Sequence, residues 1–167
     1  MPLNAQQIID LLDLRPLPIE GGYFRQTYAS QRMIDPGPTP GRPRPLGTAI
    51  YYLLTGAPDS FSALHRLPTD EVFHFYLGDP VEMLLLHLDG HSECILLGHD
   101  LAAGQRLQFV VPAGCWQGSH LAEGGAFALL GTTMAPGFDD SDYDPGVADV
   151  LIRGYPAQAA LIRRLTR

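Results

Sequence analysis

The sequence predicts an all-β sandwich or barrel with a short helix near each end. Short apolar runs recur along the chain, and glycine, proline and aspartate turn residues divide them. No helical stretch separates consecutive runs, as a parallel sheet would require, so the strands are expected to be mostly antiparallel. The predicted strands are 23–28, 48–54, 61–64, 71–77, 81–88, 94–97, 106–111 and 126–132.

Helix signals lie at both ends of the chain. Asn4 is a good N-cap, and Gln7 stands three residues later, at the spacing of a capping box. Apolar residues then follow at helical spacing until Pro16 and Pro18, which end the helix. A second helix is predicted over 157–165, where terminal arginines suit the negative end of the helix dipole.

One segment is predicted to be a loop because of its composition. Residues 35–45 read DPGPTPGRPRP, with five prolines and two glycines. Proline has no backbone N–H, so this segment is not expected to continue a strand ladder. It is predicted to be either an exposed excursion between two strands or a lid.

Length, charge and cysteine usage exclude several classes of function. The 167 residues are expected to form one domain, 1–167. A net charge of −7 and the lack of a basic run argue against a nucleic-acid partner. No apolar stretch reaches the roughly 20 residues that span a bilayer, and the N-terminus does not resemble a signal peptide. Cys94 and Cys115 form no CxxC pair, so we expect free thiols and a cytoplasmic protein.

The richest chemistry lies in FSALHRLPTDEVFHFYLG, residues 61–78. His65, Asp70, Glu71 and His74 fall within ten residues, between two strand-like runs. A short loop over 66–70 is expected to bring these strands side by side, with polar groups facing one space. Histidines and carboxylates can exchange protons or bind metals, so a proton-transfer or metal site is one interpretation. A solvated surface turn is the other.

Strand geometry limits which of these groups can act together. Side chains alternate along a strand, so positions 71 and 74 point to opposite faces unless a bulge intervenes. If Glu71 faces the interior, Phe73 and Phe75 face it too. If His74 does, Val72 and Tyr76 accompany it. The sequence leaves both arrangements open.

A second segment, GQRLQFVVPAGCWQGSH over 104–120, completes a recognisable pair of motifs. The chain resembles the cupin superfamily, whose motifs read G-x5-H-x-H-x3–4-E-x6-G and G-x5-P-x-G-x2-H-x3-N. Positions in register with these motifs are His65, Glu71, Gly78, Pro112 and Gly114. Departures from them are Leu67 and Gln117 at two histidine places, and Leu121 at the asparagine place.

Further segments are similar to the DUF985, or cupin-5, branch. They read EGGYF at 20–24, TAIY at 48–51, LHRL at 64–67, DEVFH at 70–74, VPAG with WQ at 111–117, and APGFD at 135–139. This resemblance implies a double-stranded β-helix, or jelly roll, paired into a homodimer. The branch is largely of unassigned activity, and the cupin fold hosts many chemistries.

The departures weaken the expectation of a metal. A typical cupin site uses two histidines and a carboxylate from the first motif and one histidine from the second. Here Leu67 cannot bind a metal, and Gln117 is a weak neutral ligand. His74 could supply a third ligand, and His120 a fourth. We therefore expect no cofactor, with one divalent transition metal as the alternative.

A metal-free cavity is still chemically capable, as in the similar sugar-nucleotide epimerase branch of cupins. His65 could abstract a proton alpha to a carbonyl while Glu71 or Asp70 holds its other nitrogen. Tyr23, Tyr52 or Tyr76 could return the proton. The predicted function is a metal-independent isomerase or epimerase acting on a small polar, sugar-like substrate. A metal-dependent cupin enzyme and a non-catalytic binding or sensing domain are the alternatives.

The predicted site residues follow from this hypothesis. The catalytic candidates are His65, Glu71 and His74, and the ligand-binding candidates are Tyr23, Tyr76, Trp116 and Gln117. Glu20, before Gly21 and Gly22, is assigned to a turn that needs backbone freedom, and a carboxylate near the cavity rim is the alternative. The acidic run over 139–144 is predicted to be a solvated loop or a cap on the cavity. His87, His91 and His99 lie near turns and are expected to be solvated.

Overall fold

Two antiparallel sheets packed face to face form the body of the protein. The computed structural model describes residues 3–35 and 43–167. Its strands are β1 (Arg15–Pro16), β2 (Tyr23–Ala29), β3 (Met33–Ile34), β4 (Arg44–Pro45), β5 (Thr48–Thr55), β6 (Ser62–Arg66), β7 (Glu71–Gly78), β8 (Val81–Leu86), β9 (Ser92–Leu97), β10 (Gln108–Val111), β11 (Trp116–Leu121), β12 (Phe127–Met134) and β13 (Asp144–Pro145). The helices are α1 (Ala5–Leu12), α2 (Ala148–Gly154) and α3 (Ala159–Arg164), with 3-10 turns at Asp140–Asp142 and Pro156–Gln158.

Strand order in the sheets is that of a jelly roll. The six-stranded sheet runs β1-β2-β5-β12-β7-β10, and the five-stranded sheet runs β13-β6-β11-β8-β9. Sequential strands β6 and β7 therefore belong to different sheets. The prediction that they lie side by side is wrong. They face each other across the interior, because the chain crosses between the sheets over residues 67–70.

The main core lies between the two sheets. Its apolar side chains come from alternate positions of β5, β7 and β12 on one side and of β8, β9 and β11 on the other. The large side chains that are fully buried in it include Tyr52, Leu54, Met83, Leu85, Leu97 and Leu130. Burying this apolar surface provides the main favourable free energy of folding and holds the sheets in a fixed relation.

Helices cover the two outer faces. Helix α1 begins with the predicted capping box, in which Asn4 and Gln7 exchange side-chain-to-backbone hydrogen bonds. It packs Ile8 against the outer face of the six-stranded sheet at Leu53 and Leu129. Helices α2 and α3 pack on the outer face of the five-stranded sheet. The sequence predicted one C-terminal helix, whereas Tyr155 and Pro156 divide two.

All eight predicted strands are present, with ends that differ by at most two residues. Strand β11 was missed, although it is central in its sheet. Its sequence, WQGSHL, lacks the apolar alternation that marks a strand, because Gln117 and Ser119 occupy inward-facing positions. A strand that carries polar groups into the interior cannot show the usual pattern.

The proline-rich segment is described only at its ends, since residues 36–42 lie outside the described part of the chain. Met33 pairs with Pro45, and Ile34 pairs with Arg44, in a two-residue antiparallel ladder. The prediction that residues 35–45 take no part in a ladder is therefore wrong for β4. A two-residue ladder demands few N–H groups, so proline is tolerated at its end.

Among the described residues, no helix is long and apolar enough to cross a bilayer.

Candidate functional site

Glu71 faces the interior and His74 does not. Along β7 the buried positions are Glu71, Phe73 and Phe75, whereas His74 lies on the opposite face. The two phenylalanines belong to the core between the sheets, and strict alternation then directs Glu71 inward. The choice that the sequence left open is thus decided by the burial of two aromatic rings.

His65 enters the same space from the facing sheet. In the β6–β11 ladder, Gln117 pairs with His65 and Ser119 pairs with Ser62. Strand β6 therefore has one more residue than β11 between these two pairs. This bulge places Ser62 and His65 on the same inward face, although they are three residues apart. The Nδ1 atom of His65 lies 2.8 Å from the carbonyl oxygen of Ala63. His65 is 2% exposed.

Gln117 joins the two sheets. Its Nε2 donates a hydrogen bond of 2.7 Å to Oε2 of Glu71. Thr132, on β12, also hydrogen-bonds the Glu71 carboxyl group. The amide oxygen of Gln117 and the hydroxyl of its neighbour Ser119 are buried without a hydrogen-bond partner among the described residues. This region of the interior is therefore polar, and only part of its hydrogen-bonding capacity is used by the described residues.

Glu20 supplies a second interior carboxylate. Its Oε1 accepts a hydrogen bond of 2.8 Å from the hydroxyl of Ser62. Gly21 and Gly22, with φ of 101° and 71°, make the turn that brings Glu20 there. The Tyr52 hydroxyl donates to the Gly21 carbonyl oxygen at 3.0 Å. The segment is a glycine turn, as predicted, and it also delivers a carboxylate to the interior.

Tyr143 is a site residue that sequence reasoning missed. Its ring stacks on the imidazole of His65, with centroids 4.9 Å apart and planes inclined at 21°. Its hydroxyl is buried and has no hydrogen-bond partner in the described part of the chain. The available signal was an aromatic residue inside the acidic run over 139–144, a run that was predicted to be a cavity cap or a solvated loop.

A buried ion pair holds the Tyr143 segment in place. Arg44 donates through both terminal nitrogens to the carboxylate of Asp142, with Nη2 3.0 Å from Oδ1. Both residues are almost inaccessible to solvent. Asp144 pairs with Arg66 at 2.6 Å, and Pro145 lies opposite His65 in the β13–β6 ladder. Tyr143 is therefore fixed from both sides.

Burial tunes the ionisable groups of this cluster. Desolvation, with the Glu20 charge nearby, raises the pKa of Glu71 above its ordinary value. Nearby His65 and hydrogen bonds from Thr132 and Gln117 offset part of this rise. Burial also raises the pKa values of Tyr52 and Tyr143, so both phenols stay protonated at neutral pH. We call Glu20, Tyr52, Ser62, His65, Glu71, Gln117, Thr132 and Tyr143 the interior cluster.

The structure brings three of the seven predicted site residues together, namely His65, Glu71 and Gln117. His74 and Tyr76 lie on the outer face of the six-stranded sheet, where their rings are parallel at 6.4 Å. Tyr23 packs on that outer face among the residues beneath α1. Trp116 packs on the outer face of the five-stranded sheet, with Arg66 stacked 4.7 Å above its ring. These four residues point away from the interior cluster.

Two further expectations about His65 are corrected. Asp70 does not hold its ring, since the Asp70 carboxylate accepts a hydrogen bond of 2.8 Å from the Ala113 N–H. A carbonyl oxygen, that of Ala63, takes the place that we assigned to a carboxylate. Sequence reasoning cannot identify such a partner, because every residue offers a backbone carbonyl.

The interior donors do not fit the typical cupin metal site. Leu67 is a buried apolar side chain at one histidine place, and Gln117 directs its NH₂ group toward Glu71. Of the four ligand places in the motifs, only those of His65 and Glu71 then hold good metal donors. A transition-metal site normally uses three or more. His120, another candidate ligand, bonds the Leu121 carbonyl and lies 4.0 Å from Glu82 on the outer face.

The two facing sheets follow jelly-roll order, and the first-motif residues His65 and Glu71 meet the second-motif segment between them. This is the arrangement of a cupin fold. The family model described as Cupin superfamily (DUF985) matches residues 6–145, and the chain belongs to that family.

Three similar proteins have names that state no activity. An uncharacterised protein of Saccharomyces cerevisiae, YML079W, is 30% identical over 85% of this chain and 75% of its own length. A hypothetical protein from Leishmania major has a similar structure, with 31% identity, 98% and 99% coverage of the two chains and a TM-score of 0.88. Protein SO0799 from Shewanella oneidensis is 35% identical, with 99% coverage of both chains and a TM-score of 0.84.

Proposed function

We propose that the interior cluster is the site of metal-independent proton transfer on a small polar, sugar-like substrate, of the isomerase or epimerase type. The observation that carries this proposal is the state of His65. Its Nδ1 is engaged by the Ala63 carbonyl oxygen, which favours the tautomer with the proton on Nδ1. In that tautomer Nε2 carries a lone pair, and no described residue hydrogen-bonds it.

The proton would move between substrate and His65. Nε2 takes a proton from the carbon alpha to a carbonyl, and the imidazolium that forms is stabilised by the nearby Glu71 carboxylate. The C–H electron pair becomes the enolate, whose oxygen accepts a hydrogen bond from Tyr143. Return of the proton to carbon, on the other face or at the neighbouring carbon, regenerates neutral His65.

Tyr143 is a better hydrogen-bond donor for this step than the other interior tyrosine. The Tyr52 hydroxyl already donates to the Gly21 carbonyl oxygen, whereas the buried Tyr143 hydroxyl has no partner among the described residues. The unpaired amide oxygen of Gln117 and hydroxyl of Ser119 lie on β11, where it pairs with the His65 strand β6. They add a hydrogen-bond acceptor and a hydroxyl group to the site. A substrate with several hydroxyl groups would satisfy them.

One observation favours a second candidate, a ligand-binding or sensing domain without turnover. His65 is only 2% exposed, and the Tyr143 ring lies flat against it. A histidine so covered could position a ligand or support the fold without exchanging protons. The metal-dependent alternative has less support, because His65 and Glu71 supply too few good donors.

The deciding experiment measures exchange of a carbon-bound proton with solvent. Protein treated with a chelator is incubated in D₂O with a panel of ketoses, aldoses and their phosphates, and proton NMR follows loss of the alpha C–H signal. The same panel is screened for binding by saturation-transfer NMR. The His65→Gln variant tests the base, and the His74→Gln variant is the matched control because His74 lies on the outer face of the sheet.

We expect exchange in the wild-type protein and in His74→Gln, with loss of exchange in a folded His65→Gln variant. Binding without exchange, weakened by His65→Gln, would support the second candidate instead. Exchange lost in His74→Gln but kept in His65→Gln would contradict the interior assignment. Exchange that appears only after a divalent metal is added back would contradict the metal-independent mechanism.

A further inference from the structure

A tight hairpin between β8 and β9 brings two histidines into contact. The His87 N–H donates to the His91 carbonyl oxygen at 2.9 Å, and the Gly90 N–H donates to the His87 carbonyl oxygen at 3.0 Å. Gly90 has φ of 91°, as the turn requires. His87 and His91 are thus cross-strand neighbours, and their rings stack with centroids 3.9 Å apart.

Glu93 completes a group of three donors. It follows His91 by two residues and therefore shares its face of the strand. Its Oε1 lies 3.1 Å from Nε2 of His87. One donor atom from each of His87, His91 and Glu93 lies within 4.8 Å of the other two. Modest side-chain rotation would place all three within about 2.0–2.2 Å of one zinc-sized ion.

Neighbouring residues hydrogen-bond these donors and orient them, as happens around the ligands of metal sites. Asp89 Oδ1 lies 2.6 Å from Nδ1 of His91 and also accepts the His91 backbone N–H at 3.1 Å. A carboxylate on Nδ1 leaves Nε2 of the same ring free to bind a metal. The Tyr155 hydroxyl donates to the His87 carbonyl oxygen at 2.5 Å, so the end of α2 braces the hairpin.

A cavity of about 250 Å³ adjoins the two histidines. Asp89, Ala113 and Cys115 are among the residues that line it, and none of its lining residues belongs to the interior cluster. The Cys115 Sγ lies 3.8 Å from Nδ1 of His87. The cavity provides room for water or a small anion beside an ion held by three protein ligands.

We propose that His87, His91 and Glu93 form a site for a divalent transition metal of the zinc class, with Asp89 as a positioning residue. Two imidazoles and one carboxylate are a recurrent zinc ligand set, whereas Mg²⁺ and Ca²⁺ prefer oxygen ligands alone. The fourth position faces the cavity and remains open to an exogenous ligand. This site is separate from the proposed proton-transfer site and is independent of it.

Isothermal titration calorimetry of chelator-stripped full-length protein tests the site, with ZnCl₂ and, separately, MgCl₂ as titrants. We expect one Zn²⁺ per chain and no comparable binding of Mg²⁺. His91→Ala and Glu93→Gln should each weaken Zn²⁺ binding by at least about tenfold. His99→Ala is the matched control, because His99 is exposed and lies outside the group.

Asp89→Asn tests the positioning role. It should weaken Zn²⁺ binding by about tenfold while the melting temperature of the metal-free protein stays unchanged. The proposal is overturned if stripped protein binds no Zn²⁺, or if His91→Ala and His99→Ala bind it equally well.

Discussion

At the scale of single residues, two arginine–aspartate ion pairs are expected to contribute differently to stability because one is buried and the other is exposed. Asp142 and Asp144 lie two residues apart and each pairs with an arginine. The Arg44–Asp142 pair is buried, whereas the side chains of Arg66 and Asp144 are 43% and 47% exposed. An exposed pair contributes little, whereas breaking a buried pair leaves a charge without a partner.

Asp142→Asn should therefore cost far more stability than Asp144→Asn. We expect a loss of about 3–5 kcal/mol for the buried position, because the Arg44 guanidinium loses its counter-charge. The exposed position should lose no more than about 1 kcal/mol. Urea denaturation of both variants measures the difference. Equal losses would show that the Arg44–Asp142 pair does not anchor the Tyr143 segment.

The raised pKa of Glu71 predicts how the unfolding free energy depends on pH. Burial raises its pKa in the folded state, so the folded protein binds this proton more tightly than the unfolded chain does. Its favourable contribution is complete below the unfolded pKa of about 4.3 and is lost as pH rises through the folded pKa. Glu71→Gln removes this titration and keeps an oxygen acceptor for Gln117.

The unfolding free energy of Glu71→Gln relative to the wild type should therefore rise from about pH 4 toward neutral pH and then level off. Denaturation series of the two proteins across this range give the difference directly, and contributions from titrating groups that do not interact with Glu71 cancel. A difference that does not change with pH, or one that falls as pH rises, would contradict the raised pKa.

At the scale of elements, the turn before β2 shows how a short segment positions the interior cluster. A Cβ atom on Gly21 would overlap the Phe61 carbonyl oxygen and the Arg167 side chain. Gly21 also has a positive φ, and its carbonyl oxygen receives the Tyr52 hydroxyl. The requirement for glycine is therefore both conformational and steric, and it fixes where Glu20 enters the interior.

Gly21→Ala and Gly104→Ala separate these two requirements. Gly104 has φ of 81°, but a Cβ there would meet nothing within 4 Å. Alanine at Gly104 should cost only the left-handed backbone penalty of about 1–2 kcal/mol. Alanine at Gly21 should cost about 1–3 kcal/mol more, from overpacking against the Phe61 carbonyl. Thermal or chemical unfolding of both variants measures this, and equal costs would argue against close packing at Gly21.

At the scale of the whole molecule, most of the outer edge of β2 is open among the described residues. Strand β1 pairs only with Tyr23 and Phe24, so the rest of β2 has no strand on its outer edge among the described residues. Residues 26–29 are exposed, and Tyr28 is 56% exposed. An open edge is a template for pairing with another chain, and closed twofold dimers are a common way to cover it.

We therefore propose a homodimer joined through β2. Light scattering at micromolar concentration should give twice the chain mass of 18.2 kDa. Tyr28→Lys should shift the protein toward the monomer, because the charge would be buried in the interface. Leu101→Lys is the control, since Leu101 is 62% exposed and lies far from β2 in sequence. A wild-type monomer, or equal dissociation in both variants, would contradict the proposal.

The interior cluster could be predicted only in part. His65, Glu71 and Gln117 are identified by motif spacing, which is a property of the sequence. Tyr143 and Glu20 are distant in sequence from that motif, and contacts between facing sheets bring them in. His74 and Tyr76 carry suitable chemistry but point outward, because the core retains Phe73 and Phe75.

The sequence by itself determined the local elements, which depend on short-range patterns. Alternating apolar residues predict the strands, the Asn4–Gln7 box predicts the first helix, and glycines and prolines predict the turns. Only the tertiary structure decided which polar groups meet. A one-residue bulge in β6 turns Ser62 and His65 to the same face, and the crossing between β6 and β7 sets the two sheets opposite each other. Both depend on packing between distant segments, which no local pattern encodes.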